Sequence, residues 1–118
     1  PGVDAHGHFA DAVRDAGGIP PLVALLAAGA ESEAAEKAAR ALWSLLAGNA
    51  TNSEAIREAG GIPPLVVLLA AGAESEAAEN AAAALFELSS NATNQEAIRE
   101  AGGIPPLVVL LAAGAESE

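Results

Sequence analysis

Asn49–Glu76 reads NATNSEAIREAGGIPPLVVLLAAGAESE, and Asn91–Glu118 reads NATNQEAIREAGGIPPLVVLLAAGAESE. The two stretches agree at 27 of 28 positions, the exception being Ser53 against Gln95. A weaker copy, AVRDAGGIPPLVALLAAGAESE, occupies Ala12–Glu33. The GGIPPLV segments begin at Gly17, Gly60 and Gly102, at spacings of 43 and 42 residues. Self-similarity at this period marks a stack of structural units, each too small to bury its own apolar face.

Local signals divide the unit into three short helices. Thr51-Asn52-Ser53-Glu54 predicts a capping box opening a helix near residues 52–59, with Thr93 and Glu96 repeating it. Gly60-Gly61 closes that helix, since a left-handed residue is needed there. Pro63-Pro64 opens the second helix, which runs through LVVLLAA to Gly72. Its apolar run is nearly continuous, so it is expected to be covered by its own unit and by the next. The third helix spans about residues 75–90, with Ser75 as cap and Glu76 and Glu79 in its first turn. Its apolar stripe is Ala77, Ala78, Ala81, Ala84, Leu85 and Leu88, matched earlier by Ala34, Ala35, Ala38, Ala41, Leu42 and Leu45. The opposite side carries Glu33, Lys37, Arg40 and Ser44 in one copy and Glu76, Asn80, Ala83 and Glu87 in the next. Spacings of three and four put each set on one face, and stacking sets the two rows side by side.

Composition narrows the function. Apolar residues make up 52 % and aromatics 3 %, with alanine and leucine, both strong helix formers, dominating: an all-α chain. The net charge of −11 excludes binding to a nucleic-acid backbone and disfavours anionic membrane surfaces. Without Cys or Met there is no disulfide, thiolate metal site or cysteine nucleophile. The longest apolar runs, such as Ile62–Ala71, are too short to span a bilayer, and no basic-then-apolar signal opens the chain. The expected setting is cytoplasmic if the protein is natural. Pro1–His8 reads as a flexible leader, and its His6/His8 pair as part of a tail rather than a metal site. No nucleophile elbow, P-loop or zinc-protease motif is present, so the chain reads as no enzyme, with no cofactor. The sequons at Asn49 and Asn91 are accounted for by loop and cap chemistry.

The joining motif N-x-x-N-x-x-A-I-x-E-A-G-G-I-P-P-L-V, as at Asn91, Asn94, Ala97, Ile98 and Glu100 to Val108, resembles the armadillo repeat, and the plant-type repeats most. The resemblance implies a right-handed α-solenoid of about two and two-thirds repeats: about 9–51, 52–93 and a partial 94–118. It also implies a non-catalytic scaffold whose third helices line a concave groove for proteins or extended peptides. The groove candidates are then Glu33, Lys37, Arg40, Ser44, Glu76, Asn80, Ala83 and Glu87, and the chain's net charge of −11 suits a basic peptide. In that family an Asn on the third helix grips the peptide backbone. Here that position holds Ser44 and Glu87, with Arg40 and Ala83 one turn earlier, so that grip is absent. Trp43 and Phe86 are expected to pack between repeats, with Trp43 as a partner anchor in the other reading. Near-identity of the copies suits consensus design or a very recent duplication.

Glu118 falls where a further third helix would begin. Leu107, Val108, Leu110 and Leu111 then lack one wall, and each such side chain forfeits roughly 1.5–3 kcal/mol of burial. The expectation is self-association, most simply as a homodimer through the C-terminal helix. Phe9, in place of Asn52 and Asn94, is expected to help close the other end. The alternative reading is a structural module with no ligand, designed or truncated, that only folds and associates.

Overall fold

The computed structural model describes the backbone of residues 5–116 and the side chains of residues 8–113. Within that span the chain forms eight α-helices and no strand. They are α1 (Ala5–Asp15), α2 (Ile19–Leu25), α3 (Glu33–Leu46), α4 (Ala50–Glu58), α5 (Ile62–Leu69), α6 (Glu76–Leu88), α7 (Ala92–Glu100) and α8 (Ile104–Glu116). A 3-10 turn, Leu26–Ala28, extends α2. Helix α1 begins inside the stretch expected to be a loose leader; residues 1–4 and the side chain of His6 lie outside the described residues.

The first helix of each unit is capped earlier than the expected Thr–Glu box. The Asn49 side chain accepts the Asn52 amide at 2.9 Å, and Asn91 accepts that of Asn94 at 2.8 Å. Thr51 and Thr93 fall inside the first turn and are exposed. An extended-backbone Asn satisfies a free helix amide as well as Thr does, and it stands first in the chain.

The two glycines that end α4 do different jobs. Gly60 takes φ +80°, a conformation costly for any residue with a β-carbon. Gly61 has an ordinary φ of −78°, but a β-carbon there would stand 2.7 Å from Ile56 Cγ2 and 3.3 Å from Val23 Cγ2. Val23 belongs to the preceding unit, so the second glycine sets how closely the units approach. Gly103 repeats this against Val66.

Ser32 and Ser75 cap the third helices as the sequence indicates, accepting the amides of Ala34 and Ala35 and of Ala78. In α6 the buried set is the predicted stripe. In α3 it is rotated: Ala39 and Leu46 are buried, whereas Ala34 is exposed and Ala41 half-buried. The cause is the neighbour. Helix α6 covers one edge of α3, and among the described residues no other third helix packs on the opposite edge. Phe9, expected to help close that end, is exposed.

A polar ladder runs through the stacked first helices. Asn52 is fully buried; its amide donates to the Leu45 carbonyl at 2.8 Å, and its oxygen accepts from Arg14 at 2.9 Å. Asp11 accepts from both Arg14 and Asn49 at 2.9 and 2.8 Å, and these bonds hold its carboxyl below the usual aspartate range. One unit on, Arg57 donates to buried Asn94 at 2.9 Å, and Asn94 donates to the Ser53 hydroxyl at 2.8 Å. Such burial is tolerated because every polar atom is paired; no described buried side-chain polar atom lacks a partner.

Candidate functional site

Helices α3 and α6 lie side by side, and α6 also packs on α5, so the two third helices form one continuous surface. Their inward stripes are alanine and leucine, which brings the axes close and turns the remaining faces outward. Of the predicted row, Glu33, Lys37, Arg40, Ser44, Glu76 and Glu87 are exposed. Asn80 and Ala83 are half-buried, because they sit on the edge of α6 that meets α3. Asn80 donates to the Glu36 carbonyl at 3.3 Å and so ties the two helices together rather than standing free.

Glu36 was outside the predicted row, yet it meets Glu76 across the helix pair. A hydrogen bond with the Glu76 carboxyl holds the Glu36 carboxyl above the usual glutamate range, with partial burial and the charge of Glu76 adding to the effect. Two carboxylates are thus forced together at the amino ends of α3 and α6. The charge of Lys37 pulls the Glu36 carboxyl the other way, and Lys37 spans 3.8 Å to Glu33 in an exposed pair, which contributes little to stability. Sequence spacing within one helix cannot find a carboxyl pair made across two helices.

At the other end of α3, Arg40, Trp43, Ser44 and Ala47 line a hollow of about 390 Å³. Trp43 and its counterpart Phe86 are exposed, not packed between repeats as the sequence favoured. They point off the buried stripe, beside the row.

The C-terminal helix differs from its predicted role in detail. Leu107 is buried and Leu110 half-buried, because both face α5; Val108 and Leu111 are open, and so is Ile104, which the sequence reading passed over. Phe86, Ile104 and Leu107 line a cavity of about 580 Å³ between α6, α7 and α8. Among the described residues no cluster of three or more His, Cys, Asp or Glu is placed to hold a metal ion. No helix among them is long and apolar enough to cross a membrane.

Helix triplets stacked through their third members define an α-solenoid of repeats. The armadillo/β-catenin-like repeat model matches residues 8–47 and 49–90, and the chain belongs to the armadillo repeat family. Repeats of this family are generally non-catalytic scaffolds used for protein binding. Comparison with curated proteins and with solved structures found no match.

Proposed function

We propose that this protein is a non-catalytic scaffold that binds an extended basic segment of a partner protein along the outward faces of α3 and α6. The observation that carries this reading is the carboxyl pair Glu36–Glu76 at the head of that surface, flanked by exposed Glu33 and followed by Glu87. Two carboxyls held together, with Lys37 offsetting only part of their repulsion, favour a further lysine or arginine brought by a ligand. Exposed Trp43 and Phe86 beside the row supply flat apolar platforms for the peptide's aliphatic stems. With no backbone-gripping asparagine at Ser44 or Glu87, binding here relies on charge and stacking.

The test is fluorescence anisotropy with a labelled extended Lys/Arg-rich peptide. Saturable binding is expected, weakened about tenfold by Glu76→Gln combined with Glu87→Gln and weakened further by added salt. Binding indifferent to both carboxylates, or none that saturates, would remove this function.

A further inference from the structure

We propose that the segment bound along α3 carries three different side chains at alternate positions. A lysine or arginine meets the Glu36–Glu76 pair, a carboxylate meets Arg40, and an apolar ring enters the hollow beside Trp43. This rests on the peptide-binding reading above and names what that surface selects.

Sixteen acids face five bases in this chain. Among the described residues Arg14, Lys37, Arg57 and Arg99 each pair with a carboxylate, and Arg40 enters no ion pair. Its natural partner is close in sequence. Glu36 lies four residues earlier on α3, the spacing at which a helix forms such a pair. The Glu36 carboxyl is instead bonded to Glu76 across the helix boundary. Arg40 is therefore an exposed cation on a binding surface whose nearest carboxyl on its own helix is already engaged. A guanidinium suits a carboxylate by charge and by the fork of its donors.

Arg40 also lines the 390 Å³ hollow with Trp43, Ser44 and Ala47. Ser44 and Ala47 are small, which leaves room beside the indole, and Trp43 is 42 % exposed. An indole next to a guanidinium accepts an aromatic ring with a carboxylate close by. The second unit does not repeat the arrangement. Ala83, Phe86 and Glu87 stand where the first has Arg40, Trp43 and Ser44, and α6 carries no Lys or Arg. The carboxylate subsite thus occurs once on the α3–α6 surface.

Spacing orders the three subsites. Glu36, Arg40 and Ser44 recur every four residues, a rise of about 6 Å each on a helix. Alternate side chains of an extended segment share one side and stand about 6.6 Å apart. A base, an acid and a ring at alternate peptide positions therefore fall over Glu36, Arg40 and the hollow in turn. A uniformly basic segment would bring a cation against Arg40.

The test titrates the full chain with two labelled peptides, both with blocked ends and without Trp or Tyr. The first presents lysine, aspartate and phenylalanine at alternate positions between alanines; the second has lysine for the aspartate. The first should bind about three- to fivefold more tightly, despite its smaller positive charge. Arg40→Gln should remove that preference, and Arg40→Glu should reverse it in favour of the second peptide. Arg99→Gln, an equal loss of charge off this surface, should leave it unchanged. Arg40 is exposed, so its variants keep the fold, which circular dichroism verifies. Trp43 is the single tryptophan and reads the hollow directly. Its emission should shift to the blue with the first peptide, and alanine for the peptide's phenylalanine should abolish the shift. Equal affinities that both depend on Glu76, a preference that survives Arg40→Gln, or unmoved Trp43 emission would overturn this inference and leave the peptide-binding reading standing. Saturation by neither peptide would overturn both.

Discussion

Helices α5 and α8 begin with the same eight residues, IPPLVVLL, and they are not the same object. Ile62 is 2 % exposed and Ile104 49 %; Leu69 is 2 % exposed and Leu111 55 %. Val67 and Val109 barely differ, at 67 % and 65 %, because that direction faces outward in both. Leu65 and Leu107 are both buried, since each has a preceding unit to lie on. The change is confined to the positions that α6 covers on α5. An apolar run in a repeat is thus a set of three directions: toward the previous unit, toward the unit's own third helix, and out to water. Burial in each is decided by what stands there, not by the residue.

The sharpest way to break this comparison is to cut the same side chain from both helices. Leu69→Ala should cost about 2–5 kcal/mol in chemical denaturation, as a cavity opens under α6. Leu111→Ala should cost under about 1 kcal/mol, the range of ordinary surface changes. Equal losses would mean that the end of the array is covered in solution.

A smaller effect sharpens the same contrast along the polar ladder. Arg57 is partly buried and donates to Asn94 in the next unit, whereas Arg99 turns to Glu96 on its own helix. Removing a partner from a buried, charge-assisted bond costs more than removing an exposed pair. Arg57→Ala should therefore lose about 1.5 kcal/mol, while Arg99→Ala should leave the denaturation midpoint where it was.

The smallest effect concerns acid. Glu36 meets Glu76 only because α6 lies on α3. With its carboxyl held above the unfolded range, Glu36 stabilises the fold below that range and loses the contribution as pH rises through its folded value. Glu76→Gln should accordingly raise the melting temperature slightly at neutral pH, with the gain vanishing in acid.

Much of this architecture was legible in advance. Ser75 as a cap, the two prolines opening α5, and the stripe Ala77 to Leu88 all rest on contacts within a few residues, and local chemistry is written locally. What escaped depended on distance. Asn52 looks like a surface residue until Arg14, 38 residues away, is brought to its oxygen. The carboxyl pair of Glu36 and Glu76 joins two helices, so the predicted row included one member and missed the other. Trp43 lies on a flank that packing leaves open, a matter of axis geometry and not of residue type.

By itself, then, the sequence determined the units: their period, their helices, the serine caps of the third helices and the inward face of α6, because those follow from side chains three or four positions apart. Only the tertiary structure decided which copies of the same residues are dry and which carboxylates meet. Those are properties of one unit lying on another, and residues with identical local sequence differ in them whenever their neighbours differ.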